Sequence, residues 1–142
     1  MMLPHFDGER TPNRPDAEGA ILGITHSNFT PANIARASIE GVIAGMAYAT
    51  EALRKENVDI QRLLLVGGAA RNRAVQEIAS EIFGAPFHIP APGEYVSEGA
   101  AIQAAWALNG HRPEWSHNEM EMVNAAPQQA VLARYLAAIH SI

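Results

Sequence analysis

The chain has 142 residues, 48% of them hydrophobic, so it is the size of one domain with one core. Its net charge of −5, from 10 Lys+Arg against 15 Asp+Glu, argues against a nucleic-acid partner, which would want a basic stripe. Cysteine is absent, which excludes disulfides, thiolate catalysis and Cys-based zinc sites, and no apolar run approaches bilayer length.

Taken in order, the chain opens with a loop. Residues 1–17 hold Pro4, Gly8, Pro12 and Pro15 among charged residues, a stretch too polar to make a core of its own. It has no basic n-region, so no signal peptide is predicted and a cytoplasmic protein is expected. Gly19 to Thr25 is a short apolar run that reads as a strand or an extended segment. Thr30-Pro31 has the form of an N-cap followed by proline at the first helical position. From there to about Asn57, Ile39, Val42, Ile43, Met46, Ala49 and Leu53 recur at the spacing of one helix face. Gly41 and Gly45 lie inside this helix, at about 1 kcal/mol each against alanine. They point to another backbone passing close by, or to a dimerisation seam.

The run Leu63-Leu64-Leu65-Val66-Gly67-Gly68-Ala69-Ala70-Arg71-Asn72 follows. Four apolar residues, two glycines and a polar pair before a helical pattern read as a buried strand, a tight turn and a helix N-terminus. Glycine lets a backbone approach a ligand closely, and first-turn N–H groups favour a negative group. The plain alternative is a tight connection only, as in most such turns. Asn72 caps the next helix, Val75, Ile78, Ala79, Ile82 and Phe83 make its apolar stripe, and Gly84 ends it. Ala85 to Pro90 reads as a short or edge strand closed by prolines. After a loop, Ser97 is expected to cap a helix from Glu98 to Asn109, rich in small residues and stopped by Gly110. Residues 111–126 look irregular, and Pro127 opens a last helix with Val131, Leu132, Tyr135, Leu136 and Ile139 on its apolar face. The alternation argues an α/β fold with a small sheet flanked by helices. The sheet is thin for this length, so either another chain completes it or this chain is a piece of something larger.

Four segments, in order, resemble the FGGY carbohydrate kinases, most of all the xylulokinases. They are Leu3-Pro4 with Asp7-Gly8-Glu9-Arg10-Thr11-Pro12, then Gly19 to Thr25, then Arg36-Ala37-Ser38-Ile39-Glu40-Gly41, and last Val66 to Asn72 followed by Ser97-Glu98-Gly99-Ala100-Ala101. The resemblance covers roughly residues 3–112. It implies the C-terminal domain of an actin-like ATPase (ribonuclease-H-like) fold over residues 1–112, lacking its opening strands, with residues 113–142 as a tail helix packed on it. It also implies ATP with Mg²⁺ as cofactor and a sugar as acceptor. Gly67 and Gly68 would approach the nucleotide, Ala69 stands where a third glycine is common, and Asn72 matches a position beside the adenine.

The general base, the metal site and the sugar pocket of such kinases would precede residue 1. Asp7, Glu9 and Asp16 do not sit in a base-like motif, so no catalytic and no metal-binding residue is assigned here. Glu9 and Arg10 are read as pairing in a loop before they are read as touching substrate. Glu40 is read as a buried partner of Arg36 one turn away. Ser97 is a cap, not a nucleophile. Trp106 and Trp115 are read as core and rim. His5, His26, His88, His111, His117 and His140 show no metal spacing and read as surface or satisfied residues. Two functions stay open. One is the ATP-binding part of a sugar kinase, inactive alone. The other is a non-catalytic interaction or oligomerisation module on the same fold. Partners expected are a nucleotide and either the missing kinase half or a second copy.

Overall fold

The computed structural model describes residues 1–10, 13–115 and 119–141. Thr11, Pro12 and His117, named above, lie outside the described residues. The elements run β1 (Met2–Leu3), β2 (Ala20–Ile21), α1 (Pro31–Lys55), β3 (Leu63–Leu64), a 3₁₀ turn (Gly68–Arg71), α2 (Arg73–Phe83), β4 (Phe87–Pro90), α3 (Tyr95–Asn109), β5 (Met120–Val123) and α4 (Gln129–Ile139).

The N-caps of α1 and α2 fall where the sequence placed them; α3 and α4 start elsewhere, α4 at Gln129 behind Gln128, with Pro127 outside the helix. The Thr30 hydroxyl accepts the Asn33 N–H at 3.3 Å, with Pro31 opening α1. Asn72 Oδ1 accepts the Ala74 N–H at 2.9 Å and starts α2, which ends at Gly84 in the left-handed region, φ +62°. Helix α3 begins at Tyr95, ahead of the expected cap. Ser97 is therefore inside the helix, and Glu94 stands at the cap position with no side-chain bond to the helix.

Strands β3 and β4 are parallel, Leu63 opposite Phe87, and β4 pairs antiparallel with β5, Phe87 opposite Val123 and Pro90 opposite Met120. The order β3-β4-β5 corrects two expectations. Residues 111–126 are not all irregular, because Met120–Val123 form a strand. Strand β4 is short, as expected, but central rather than an edge: its prolines stand outside it or at its last residue, so the interior keeps its ladder bonds. Strand β3 is an outer strand, since residues 20–21 pair with β1 in a separate two-stranded sheet.

The main core joins Ile43 and Ala47 of α1, Ile78 and Ile82 of α2, Phe87 and Ile89 of β4, Val123 and Val131. A second cluster holds Leu3, Ala44, Tyr135, Ala138 and Ile139. The opening segment thus supplies core, contrary to its polar composition. Leu3 and His5 are fully buried. His5 is not a surface residue: its Nε2 lies 3.3 Å from the Tyr135 hydroxyl, and its Nδ1 has no hydrogen-bond partner among the described residues. Gly41 and Gly45 do admit neighbours: a Cβ would stand 2.4 Å from the Met2 carbonyl oxygen at 41 and 3.2 Å from the Tyr135 hydroxyl at 45.

The apolar face predicted for α1 is split. Ile43, Ala44 and Ala47 are buried, while Val42, Met46 and Leu53 are 53%, 49% and 51% exposed. Helix α3 buries no residue at all. Trp106 on it and Trp115 beyond it are exposed and belong to no core cluster. A helix apolar all round belongs in an interior, so this structure leaves two helical faces uncovered.

Candidate functional site

The site begins at the end of β3. Gly67 has φ +97° and ψ −179°, a backbone region that is essentially glycine-only. This swings the chain off the strand and into the 3₁₀ turn, where the Ala70 N–H meets the Gly67 carbonyl at 3.2 Å and the Asn72 N–H meets the Ala69 carbonyl at 3.0 Å. Ala70 points into the core, and the buried Gln76 amide donates to its carbonyl at 2.7 Å, fastening the turn to α2. Gly68 is a different case. It has no positive φ, and a Cβ on either Gly67 or Gly68 would meet nothing within 4 Å. Packing does not require glycine at 68, and the space above the turn is open.

That space is a cleft of about 770 Å³. Gly67, Gly68, Arg71 and Gln76 form one wall, Ile89 to Tyr95 the other, and Glu119 and Glu121 the rim on the β5 side. Of the four residues singled out in the sequence, Gly67 and Gly68 line the cleft, while Ala69 and Asn72 do not. Ala69 is exposed on the turn, and the Asn72 side-chain oxygen is engaged as the cap of α2. Tyr95, Gln76, Glu119 and Glu121 were not foreseen. The alternation Glu119-Met120-Glu121-Met122 is a period-two signal that could have exposed β5, and with it the rim.

Charge on the cleft is mixed. Arg71 is exposed and has no ion-pair partner among the described residues. Glu121 is bonded at 2.9 Å to Arg73, which also binds Glu77 at 2.9 Å. The hydrogen bond to Glu77, helped by the charges of Glu77 and Glu121, holds the Arg73 guanidinium above the ordinary arginine range. Arg36 and Glu40 pair at 2.7 Å as expected, and Arg36 also reaches Glu81 of α2 at 2.5 Å. The pair is not buried, since the Arg36 side chain is 44% exposed. Its hydrogen bonds to Glu40 and then Glu81 raise its pKa. Both residues line a second hollow of about 500 Å³ between residues 21–29, α1 and α4. Arg36 is taken up there by Glu40 and by Glu81 of α2, so the first cleft is the better-equipped site. Glu9 and Arg10 line neither: the Glu9 carboxylate accepts the Arg10 N–H at 2.7 Å within the opening loop.

No helix of the described residues is long and apolar enough to cross a membrane.

Comparison with known proteins shows the family. The model of the FGGY family of carbohydrate kinases, C-terminal domain, matches residues 1–108. A xylulose kinase of Streptomyces rubiginosus is 36% identical over 113 residues, 79% of this chain and 23% of the relative. A xylulose kinase of Escherichia coli is 34% identical over 104 residues, 72% of this chain and 21% of that protein. The crystal structure of a xylulose kinase from Bifidobacterium adolescentis superposes with a TM-score of 0.82 and 39% identity, covering 98% of this chain and 28% of that one. The chain thus spans about a quarter of the length of the curated relatives it matches. It belongs to the FGGY family of carbohydrate kinases, as a C-terminal domain of the actin-like ATPase fold.

Proposed function

We propose that this chain is the nucleoside-holding part of an ATP-dependent sugar kinase of the xylulose kinase type. The observation that carries the reading is Gly68: a glycine the fold does not need, beside a glycine it does, facing an open cleft. A nucleotide fits this cradle, because a side chain at 68 would fill the space over the turn. Gly67 and Gly68 would bring the backbone to it, with Ala69 and Asn72 at the turn's outer end. ATP supplies the phosphoryl group when bound, and this chain's part is to hold the nucleoside. In this reading the Mg²⁺ ligands, the general base and the pocket for D-xylulose or a related sugar come from polypeptide outside the chain. Phosphoryl transfer needs positioned metal and charge around the γ-phosphate, so the chain alone is inactive. We read residues 1–112 as the kinase domain proper, residues 113–142 as a tail packed on it, and the protein as cytoplasmic.

A second reading, an interaction or oligomerisation module on this fold, draws on the uncovered apolar residues Val42, Met46 and Leu53 of α1 and Val96 and Leu108 of α3. The first reading accounts for them as well, as the face that the remainder of a kinase covers. Calorimetry with ADP and ATP tests the function. Weak binding that disappears in Gly68→Val is expected. Submicromolar binding that survives Gly68→Val refutes the site, and no binding with or without the kinase remainder favours the module.

A further inference from the structure

Tyr95 is the one aromatic residue lining the cleft, among the described residues. Its position is fixed from two sides. Its hydroxyl donates to the Ala91 carbonyl one turn back. Its ring lies over Gly93, where a Cβ would stand 3.3 Å from ring carbon Cζ and 3.5 Å from Cε2. The loop Ala91-Pro92-Gly93-Glu94 is therefore wrapped around the tyrosine, and little rotamer freedom is left to lose on binding. A restrained aromatic ring opposite a turn stripped of side chains offers a flat surface and the room to use it.

The charges narrow the ligand. Arg71 is the cation on the cleft, against Glu94, Glu119 and Glu121. Arg73 neutralises Glu121, which leaves two carboxylates against one cation. A triphosphate gains little here, whereas a neutral planar base loses nothing to these charges and gains the ring. We infer that Tyr95 is the base-stacking residue of this cleft, and that the chain takes a nucleoside by its base rather than by its phosphates. The inference rests on the reading of the cleft as a nucleotide site.

The test is a calorimetric titration of the full chain with adenosine, and separately with inorganic tripolyphosphate, on wild type, Tyr95→Phe, Tyr95→Leu, Gly93→Ala and Gly68→Val. Adenosine binding is expected to weaken about tenfold in Tyr95→Leu, the usual effect of removing an aromatic partner from a base. Tyr95→Phe keeps the ring and stays close to wild type. Tripolyphosphate alone gives no heat. Circular dichroism checks folding. Should Tyr95→Leu not fold, Gly93→Ala decides instead, because its methyl displaces the ring and weakens adenosine in the same direction. Adenosine affinity lost in Gly68→Val but unmoved in Tyr95→Leu and Gly93→Ala overturns the role of Tyr95 and leaves the site standing. Adenosine that fails to bind wild type at millimolar concentration overturns the inference; failure also with the kinase remainder present, or equal binding to every variant, overturns the nucleotide reading with it.

Discussion

Gly41 of α1 and Met2 of β1 meet backbone to backbone, with a Cβ at 41 only 2.4 Å from the Met2 carbonyl oxygen. Alanine is the better helix former by about 1 kcal/mol, so in isolation Gly41→Ala would strengthen α1. Here the methyl must push β1 away. Overpacking of this kind costs about 1–3 kcal/mol, and β1 carries the fully buried Leu3 with it. Gly41→Ala is expected to lower the urea midpoint. An unchanged or higher midpoint would show that β1 is not held against the helix.

Much of this arrangement was legible where one residue has one job. Thr30 and Asn72 as caps and Gly84 as a stop are local chemistry, and each stands where it was read. Strand β5 was missed because its alternation is short and follows a proline-containing stretch. Its register comes from β4, which no local pattern reports. The stripe Val42, Met46, Leu53 is legible as part of one apolar helix face; that it lies outside the core is not. Composition cannot distinguish a face that packs within the chain from one that waits for another polypeptide. The same holds for the cleft. Gly67 and Gly68 are contiguous and carry a recognisable pattern, whereas Tyr95 and Glu121 reach the cleft from separate elements that only the fold brings together.

Burial, followed by the charge of Glu9 and the neighbouring Tyr48, raises the Tyr135 pKa above its ordinary value. In the unfolded chain this phenol ionises near about pH 10. The folded group holds its proton more tightly, so its contribution to stability is complete below the unfolded pKa and is lost as pH rises through the folded one. Tyr135→Phe cannot ionise, but it gives up the contact with His5. The variant is expected to melt lower than wild type at neutral pH, with the gap narrowing above about pH 10. Thermal scans across that range check this. A gap that widens with pH contradicts a buried phenol here.

Ser80 is fully buried and serves two chains of bonding at once. Its hydroxyl donates to the Ala85 carbonyl at 3.0 Å and accepts the Ala125 N–H at 2.9 Å, joining α2 to the segment after β5. Ser80→Ala strands both groups, at about 1–3 kcal/mol. A lower unfolding midpoint is expected, together with faster amide exchange at Ala125. Exchange at Ala125 that does not change would mean the N–H has another partner.

Gly67 and Gly68 are predicted to part company under substitution. Gly67→Ala places a Cβ on a backbone at φ +97° and ψ −179°. Such strain costs about 1–3 kcal/mol, and relief would turn the 3₁₀ segment away from the cleft. Gly68→Ala meets open space without positive φ, so stability should stay close to wild type. Paired melting curves decide it. Equal losses at both positions would remove the distinction between a glycine kept for the turn and one kept for the ligand.

The uncovered apolar surface has a consequence for the chain in solution. Val42, Met46 and Leu53 recur on α1 at helical spacing, and Leu64 and Val66, in and just beyond the outer strand β3, are 44% and 52% exposed. An outer strand with bare N–H and C=O groups beside apolar side chains pairs readily with another chain, and contiguous apolar surface seeks cover. The isolated chain is therefore expected to self-associate at low micromolar concentration, most simply as a two-fold dimer. It should turn to the remainder of a kinase where that is present. Val42→Lys with Met46→Lys places charge in the stripe at two half-exposed positions. It should shift sedimentation toward monomer while the Ile43, Ala44 and Ala47 seam keeps α1 folded. A wild-type chain that sediments as a monomer and unfolds cooperatively would sink this prediction, and would mean that α1 and β3 tolerate water as they stand.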